Sequence, residues 1–245
     1  MTTTSMQTRI EKDSMGEMEV PADVLYGAST QRAVLNFPVS GRRVPDDIIL
    51  AYARVKGSAA SVNAALGKLD RERADAIMGA CRQILHGLPE QGGLGRHFPI
   101  DIFQTGSGTS TNMNVNEVVA NLVCLARGAA IGSSKDPAYL EAGGVHPNDH
   151  VNMGQSSNDT FPTAMHVAAA TAIKNDLLPA VDRLAKTLEA KAEAWDGIVK
   201  IGRTHLQDAT PIRLGQEFGG FAAQMRHGEE RLHRALRTLG ELALG

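Results

Sequence analysis

The sequence predicts a mainly α-helical protein, and three observations support this prediction. Apolar residues make up 42% of the 245 positions, which is enough for a buried core. Aromatic residues make up only 4%, while Ala and Leu are abundant, and this composition suits closely packed helices better than a β-sandwich. Apolar residues also recur at spacings of three and four over long stretches, which is the period of a helix buried along one face.

The first half of the chain is predicted to contain an irregular arm followed by helices. Prolines and glycines interrupt residues 1–44, which should therefore be irregular or short-stranded. Helices are then expected from Asp46 or Asp47 to about Leu66, from Asp70 to before Pro89, and from Asn112 or Asn114 to Gly128. One face of the first of these helices is apolar and contains Ile49, Tyr52, Val55 and Ala59.

Two long helical patterns follow in the second half. The first should be capped by Asp159 or Thr160, with Pro162 in its first turn. It continues to about Trp195, and Pro179 should kink or interrupt it. The second pattern is interrupted only near Gly228, and its apolar positions are Leu214, Phe218, Phe221, Met225, Leu232, Leu236, Leu239 and Leu242.

These two helices cannot close a bundle by themselves. If left uncovered, the eight apolar residues of the second pattern would forgo roughly 12–24 kcal/mol of burial, at about 1.5–3 kcal/mol each. Either other chains cover these apolar stripes, or the residues belong to a longer protein. We therefore expect a helical N-terminal domain with an irregular arm at residues 1–150, and the incomplete start of a central helical bundle at residues 151–245.

Charge and cysteine content exclude several classes of protein. The formal net charge of −2 gives no indication of a nucleic-acid or membrane surface. No apolar run approaches the roughly 20 residues that span a bilayer, and the N-terminus lacks the apolar core of a secretory signal. Cys81 and Cys124 lie far apart in apolar helical runs, so we expect reduced core thiols in a cytoplasmic protein and no disulfide.

Three polar segments interrupt the helical patterns. They are residues 105–116 (TGSGTSTNMNVN), 144–162 (GVHPNDHVNMGQSSNDTFP) and 202–211 (GRTHLQDATP). By composition alone, the longest of them reads as a solvated linker. The presence of three segments rich in hydroxyls, amides and imidazoles instead suggests one site assembled from distant parts of the chain.

Two of these segments place hydroxyl groups just before a helix. In residues 105–112 and again in 155–159, hydroxyls and backbone N–H groups at a helix start could bind a carboxylate or phosphate. An ordinary capping loop is the plainer explanation of each segment taken alone. The GxG in residues 106–108 lacks the third glycine of a dinucleotide fingerprint, so it gives little support for a Rossmann fold.

The histidines of the polar segments have several interpretations. HPNDH at 146–150 has metal-ligand spacing, but Pro147 argues against a continuous helix, and an anion-binding turn or a structural Asx-turn is favoured over a metal site. Thr204 and His205 lie in a short connection between long helices. A histidine can transfer protons near neutral pH, although a single loop histidine is more often only solvated.

Together these motifs resemble the fumarase/aspartase superfamily and, within it, class II fumarate hydratase, the iron-independent kind. The matching stretches are TGSGTSTNMNVNE, QSSNDTFPTAMH and GRTHLQDATP, and RIEKDSMGEMEVPADVLYGASTQRA resembles the N-terminal arm of the family. The nearest rival is aspartate ammonia-lyase. His146, Ser157 and His205 favour the fumarase type, Ser157 most clearly.

The resemblance implies reversible trans-hydration of fumarate to L-malate in the citric acid cycle, without a metal or other cofactor, by a homotetramer whose sites combine three subunits. It implies that Thr204 and His205 are catalytic and lie over the reacting carbons. The substrate carboxylate would be bound by Ser107, Gly108, Thr109, Ser156, Ser157 and Asn158. A second dicarboxylate site would comprise His146, Pro147, Asn148 and Asp149.

The chain departs from the family pattern in two ways. Fumarases often carry an arginine three residues before His146, where this chain has Gly143, so the second site should be weak or altered. Family members also continue beyond this length and carry a GSSxMPxKxNP-type loop whose serine serves as the base, and residues 1–245 contain no such loop. We therefore expect the chain alone to be nearly inactive and prone to association, the alternative being an inactive fragment that only associates with other subunits.

Overall fold

The computed structural model describes residues 7–244, and it confirms that the protein is mainly α-helical. The contacts divide the chain into two compact units. One unit comprises residues up to Ala168 together with the segment from Leu242 onward, and the other comprises Ala169–Glu241. The domain division predicted between residues 150 and 151 rests on sequence motifs and stays a prediction.

The first unit begins with a hairpin of two antiparallel strands, β1 (Thr8–Asp13) and β2 (Gly16–Pro21), in which Thr8 pairs with Pro21 and Asp13 with Gly16. Its α-helices are α1 (Ala28–Asn36), α2 (Asp46–Ala65), α3 (Arg71–Leu85), α4 (Leu94–His97), α5 (Thr109–Ala126), α6 (Pro137–Glu141) and α7 (Ser157–Ala172), the last turn of which belongs to the second unit. Shorter helical turns cover Pro89–Gln91, Ser133–Lys135 and Pro147–Val151.

The starts of α2 and α3 confirm two sequence predictions. Pro45 occupies the cap position of α2, and Asp46 and Asp47 lie in its first turn, where carboxylates face the positive end of the helix dipole. Asp70 caps α3 by accepting a hydrogen bond of 2.8 Å from the backbone N–H of Arg73. Both helices therefore begin where predicted, but only α3 has a side chain that caps its first N–H groups.

Helix α1 was not predicted, and its cap explains why. Glu117 is buried on α5, and its carboxylate accepts hydrogen bonds from the N–H groups of Gly27 (2.9 Å) and Ser29 (2.9 Å) and from the Thr30 hydroxyl (2.7 Å). The carboxylate that holds the start of α1 thus comes from about 90 residues away, so the local sequence carries no sign of it. The prediction of an irregular or short-stranded arm is therefore correct for residues 7–27 and 37–44 and wrong at α1.

The core of the first unit lies between α2, α3 and α5. Its fully buried side chains include Leu25, Ile49, Tyr52, Ile77, Ile84, Phe98, Val115, Val118, Val119 and Leu122. Cys81 and Cys124 are buried free thiols, as the sequence predicted. Burial raises the pKa of Cys81 to about 12, so this side chain behaves as a small apolar residue at neutral pH.

The second unit consists of the last turn of α7, a π-helical turn (Ile173–Leu177), α8 (Leu178–Ala194), a hairpin of β3 (Val199–Thr204) and β4 (Gln207–Arg213), and α9 (Leu214–Leu239). The interruption predicted at Pro179 is present, since this proline lies in the first turn of α8 directly after the π-helical turn. Proline has no N–H group and its ring crowds the preceding turn, and the wider π-helical turn accommodates both effects.

The two local predictions for the start of α7 were wrong, whereas α9 is the one long helix that its spacing predicted. Helix α7 begins at Ser157 instead of after Asp159, because the Ser156 carbonyl accepts hydrogen bonds from Asp159 N (3.2 Å) and Thr160 N (3.0 Å). Pro162 therefore lies inside the helix and not in its first turn. Helix α9 runs without a break through Gly228, because a single glycine costs a helix only about 1 kcal/mol.

Helices α8 and α9 pack against each other through aromatic and charged side chains. Trp195 and Phe218 meet edge to face with centroids 4.7 Å apart. Arg226 on α9 forms ion pairs with Asp182 (2.8 Å) and Glu189 (2.8 Å) on α8. Most of the predicted apolar stripe of α9 is half-buried by this packing, although Phe221 keeps 45% of its surface exposed. Within residues 7–244 no helix has both the length and the apolar character of a membrane span.

Candidate active site

Two of the three polar segments meet through a cluster of hydroxyl groups, which we call the hydroxyl cluster (Ser107, Thr109 and Ser157). The Thr109 hydroxyl lies 2.8 Å from Ser107 Oγ and 3.0 Å from Ser157 Oγ. Thr109 is the first residue of α5, and Ser157 is the first residue of α7. The fold therefore joins two helix starts that lie 48 positions apart in the sequence, as the hypothesis of one assembled site requires.

Gly108 makes this close approach possible. Its φ of +70° lies in the left-handed region, and it caps α5 in place of the predicted asparagines. A Cβ atom at this position would lie 2.2 Å from Cγ of Phe161 on α7, which no side chain could tolerate. Helix α5 thus begins three residues before Asn112 because a glycine lets the chain turn against α7.

The hydroxyl cluster is suited to binding a carboxylate. The first N–H groups of a helix have no partner within the helix, and the helix dipole adds a partial positive charge at the same end. Here two such ends come together with hydroxyl groups between them. Ser107, Ser156 and Asn158 are exposed around the cluster, so a ligand can reach it from solvent.

A buried polar network lies behind this cluster and involves residues that sequence reasoning did not select. Lys56 on α2 donates hydrogen bonds to Asn112 Oδ1 (2.7 Å) and Asn152 Oδ1 (2.9 Å). Asn152 Oδ1 also accepts from the side-chain amides of Asn112 (3.0 Å) and Asn116 (3.2 Å). Asn112, one of the two asparagines predicted to start the third helix, therefore lies inside that helix as a hydrogen-bonding partner of Lys56.

The sequence did contain a sign of this network. Lys56 falls four residues after Tyr52, on the face of the first predicted helix that is otherwise apolar. A lysine on such a face usually extends its ammonium to the surface, but Lys56 has no exposed surface at all. Gln104 is a second omission, since its Oε1 accepts the Thr111 N–H at 2.9 Å and steadies the loop before α5.

The predicted second dicarboxylate region forms a short π-helical turn, Pro147–Val151, instead of an Asx-turn. His146 caps this turn by accepting a hydrogen bond of 3.1 Å from Asp149 N at its Nδ1. The backbone N–H of His146 donates in turn to His150 Nδ1 at 2.9 Å. Burial lowers the pKa of both imidazoles, so each is neutral at pH 7 and can accept these hydrogen bonds.

A cavity of about 540 Å³ opens beside this turn. It is lined by Lys12, Asp13, Ser14, Ser29, Met113, Lys135, His146 and Asn148. Gly143 has a φ of +87°, a conformation that would strain an arginine at this position. Two lysines thus supply positive charge to the cavity in a chain that lacks the family's arginine at residue 143.

Thr204 and His205 lie in the second unit, at the tip of the β3–β4 hairpin. The sequence prediction of a short connection between two helices was wrong here, because strand pairing continues to Thr204 and Gln207. His205 and Leu206 form the turn with φ values of 52° and 62°, as two-residue hairpin turns of the I′ type require. Both side chains are exposed, and Leu206 is 99% exposed.

No group of three or more His, Cys, Asp or Glu side chains is arranged to hold a metal ion within residues 7–244. His146 and His150, which the sequence showed at ligand spacing, are instead joined to each other through a backbone hydrogen bond. The groups present at the two candidate sites are hydroxyls, amides, imidazoles, lysine ammonium groups and helix N-termini.

Comparison with known proteins places these features in a family. The sequence pattern of the family described as "Lyase" matches residues 16–245. Class II fumarate hydratase of Halobacterium salinarum is 52% identical over 237 residues, which are 97% of this chain and 47% of that protein. The chain therefore belongs to this lyase family and is similar to class II fumarate hydratases. It spans about half the length of the curated relatives it matches.

Solved structures support the same conclusion about the fold. The class II fumarase of Schistosoma mansoni superimposes with a TM-score of 0.88 and 39% identity, covering 98% of this chain and 48% of that chain. A structure described as fumarate lyase:delta crystallin from Brucella melitensis gives a TM-score of 0.86 and 41% identity, covering 96% and 52%. These similarities confirm the predicted fumarase/aspartase-like helical fold.

Proposed function

We propose that this chain forms part of a fumarate hydratase that adds water reversibly across the double bond of fumarate to give L-malate. The observation that carries the proposal is sequence identity. Nearly the whole chain is 52–53% identical to proteins named class II fumarate hydratase. The reported relatives carry no name of the aspartate ammonia-lyase type, so that alternative is not favoured.

In this proposal the hydroxyl cluster and its neighbours bind one carboxylate of the substrate. Removal of the C3 proton of malate sends negative charge into the adjacent carboxylate, which becomes a doubly charged aci-carboxylate. Hydroxyl and N–H donors stabilise that charge where it develops, and the loss of one such donor costs about 10²–10³ in rate. The residues proposed for this role are Ser107, Gly108, Thr109, Ser156, Ser157 and Asn158.

Thr204 and His205 are proposed to act at the reacting carbons. An imidazole can hold a proton or deliver one as hydroxide leaves. Both residues sit at a hairpin tip where their side chains face solvent, so they are accessible to a substrate. In this proposal the base that removes the C3 proton comes from a GSSxMPxKxNP-type loop, a type of segment not found in residues 1–245.

A second dicarboxylate site is proposed at His146, Pro147, Asn148 and Asp149. Its support is the cavity that His146 and Asn148 line together with Lys12 and Lys135. Lys135 lies 2.9 Å from the Lys12 carbonyl and 3.6 Å from the buried Glu117 carboxylate, so its ammonium is held at the cavity wall. We propose that these lysines offset the absence of an arginine at Gly143.

The assembly is proposed to be a cytoplasmic homotetramer acting in the citric acid cycle, with no cofactor. The support for association lies in the second unit, where Leu184, Val199, Leu206 and Phe221 are 45–99% exposed. Apolar residues exposed in this number on two paired helices and the hairpin between them call for a partner surface. In this proposal residues 1–150 form the N-terminal domain, and residues 151–245 begin the central helical bundle.

The proposal is tested by following the ultraviolet absorbance of fumarate with the purified chain and identifying the product by NMR. We expect little or no turnover by the chain alone. The class II fumarate hydratase of Corynebacterium glutamicum is 52% identical to this chain over 242 residues, and we expect malate to form when the part of that relative that this chain does not match is supplied in trans. A His205→Asn variant should abolish the recovered activity, whereas a His86→Asn control should retain it. Aspartate formation in the presence of ammonia would instead support the ammonia-lyase alternative.

A further inference from the structure

Lys56 has an unusual position for a lysine. Among residues 7–244 it is the one lysine that is fully buried. Its ammonium donates hydrogen bonds to two amide oxygens, Asn112 Oδ1 (2.7 Å) and Asn152 Oδ1 (2.9 Å). Within the described chain, the titratable group that affects the pKa of Lys56 is the Cys81 thiol on α3, and no carboxylate pairs with the ammonium. The ammonium is therefore enclosed without a counter-ion.

This arrangement is unfavourable for packing alone. Burial lowers the pKa of Lys56 from 10.5 to about 7, because the interior disfavours the charged form. A methionine would fill a similar volume without a desolvation cost. The lysine is thus a destabilising choice for a core position, and strongly perturbed groups of this kind cluster at functional sites.

The hydrogen bonds of Lys56 lead directly to the hydroxyl cluster. Asn112 Oδ1, which accepts from Lys56, also accepts from the Thr160 hydroxyl at 3.3 Å. That hydroxyl lies 3.2 Å from the carbonyl oxygen of Ser157. Ser157 Oγ then meets Thr109 Oγ1 at 3.0 Å. One lysine on α2 therefore connects the first turns of α5 and α7.

The second acceptor of Lys56 fixes the chain that leads into α7. Asn152 Oδ1 accepts hydrogen bonds from Lys56, Asn112 and Asn116. The side-chain amide nitrogen of Asn152 donates to the Gln155 carbonyl at 2.9 Å. Gln155 immediately precedes the Ser156–Ser157 pair. Both helix starts that carry the candidate carboxylate ligands are thus tied to the same ammonium group.

We propose that Lys56 is a positioning residue that holds the N-termini of α5 and α7 together and places a buried positive charge behind them, so that a dicarboxylate binds more tightly while Lys56 is protonated. The coupling to a dicarboxylate rests on the proposed function, whereas the coupling of the two helix ends to Lys56 stands on the hydrogen bonds alone. The proposal assigns Lys56 no contact with the substrate.

The coupling has a defined sign. A bound dianion favours the protonated lysine, and by linkage protonation of the lysine favours the dianion. Affinity should therefore fall as pH rises above about 7. The groups that face Lys56 do not titrate in this range. Asn112 and Asn116 on α5, Asn152 before α7, and Thr160 on α7 are uncharged, and burial keeps the Cys81 thiol neutral.

The first test uses the whole chain without ligand. NMR spectra of chain labelled at lysine Cε and at backbone nitrogen are recorded across the pH range. We expect the amides of residues 108–112 and 157–160 to titrate with the midpoint of the Lys56 Cε signal. This response should vanish in Lys56→Met and persist in Lys68→Met, a control at an exposed lysine. If the chemical shifts of these amides in the wild-type chain do not change at the midpoint of the Lys56 titration, the proposal is overturned. This outcome does not depend on whether Lys56→Met folds.

The second test adds succinate and, separately, fumarate. We expect the Lys56 midpoint to rise, and for each pH unit of that rise the affinity measured at pH 6 should exceed that at high pH by about tenfold. In Lys56→Met the affinity should be weaker and independent of this midpoint. Binding that leaves the lysine midpoint unmoved would contradict the charge coupling. Failure of both dicarboxylates to bind, with the amide response intact, would contradict the proposed function and leave the positioning supported.

Discussion

The two units of this protein differ in which side chains they bury. The first unit buries large apolar residues between α2, α3 and α5, and within that core it pairs polar groups such as Glu117, Lys56 and Asn112. The second unit fully buries only small residues among those described: Ala185, Gly202, Gly215 and Ala222. Its larger apolar side chains stay half-buried or exposed.

This difference indicates what each unit needs from its surroundings. The first unit has its own core, which fixes a glycine in the left-handed region, a buried carboxylate and a buried ammonium. The second unit is a pair of helices with a hairpin, held by ring contacts and by ion pairs around Arg226 that are exposed to solvent and salt. Chemistry that requires fixed geometry is therefore concentrated in the first unit, and association in the second.

The largest expected effect is on Gly108. Gly108→Ala adds a Cβ that would meet Phe161 at 2.2 Å, and it also strains a residue with φ of +70°. We expect a loss of roughly 3–4 kcal/mol in the free energy of unfolding, measured by urea denaturation. Gly67→Ala is the matched control, because Gly67 has φ of +66° with open space around it, and it should lose only about 1 kcal/mol. Equal losses in both variants would show that the contact of the added Cβ with Phe161 on α7 does not lower the free energy of unfolding.

Glu117 comes next. Glu117→Gln replaces a carboxylate that accepts from three N–H groups and a hydroxyl with an amide that has one acceptor oxygen and an N–H₂ facing donors. We expect a loss of about 2–3 kcal/mol, with faster amide hydrogen exchange in α1 than in α3. The exposed Glu90→Gln variant should leave stability within about 0.5 kcal/mol. Unchanged exchange in α1 would contradict the capping role.

The buried lysine predicts a pH dependence of stability. The unfolded chain keeps the Lys56 proton up to its ordinary pKa of 10.5, whereas the folded chain releases it near 7. The unfolded state therefore binds more protons in this interval, and stability should rise with pH by up to about 1.4 kcal/mol per unit. The difference between wild type and Lys56→Met, measured from about pH 7 to 8.5, isolates this slope. A difference that stays constant with pH would contradict it.

The smallest effect is expected in the second unit. Leu206 is 99% exposed and has φ of 62°, so Leu206→Gly removes strain without removing a buried contact. We expect a gain of about 0.5–1 kcal/mol in the stability of the hairpin, seen as slower hydrogen exchange in β3 and β4. The matched change at Leu184, on α8, should destabilise instead. Destabilisation by Leu206→Gly would show that the leucine contributes contacts to the folded chain.

Local sequence signals predicted the long helices well. The starts of α2 and α3 follow from Asp46 and Asp70, and the disruption before α8 follows from Pro179. The hairpin at residues 199–213 and helix α1 were missed for different reasons. The hairpin depends on pairing between two strands with few apolar residues, one of which contains Pro211, and α1 depends on a carboxylate from α5.

The candidate site was predicted in part. The polar segments around Thr109 and Ser157 were expected to meet, and their hydroxyls do so at 3.0 Å. The roles of these residues and of Thr204, His205 and the His146 region stay proposals. Lys56, Asn152 and Gln104 were missed, because each looks ordinary beside its neighbours in the sequence and becomes unusual only through burial or a distant partner.

The sequence by itself determined the helical class, the main helix boundaries and the resemblance to the lyase family, because periodicity, caps and motifs are properties of neighbouring residues. Only the tertiary structure decided that Gly108 lies against Phe161 and that Lys56 is enclosed between asparagines from α5 and the segment before α7. Burial and hydrogen bonding between distant segments set these environments, and such contacts exist only once the chain has folded.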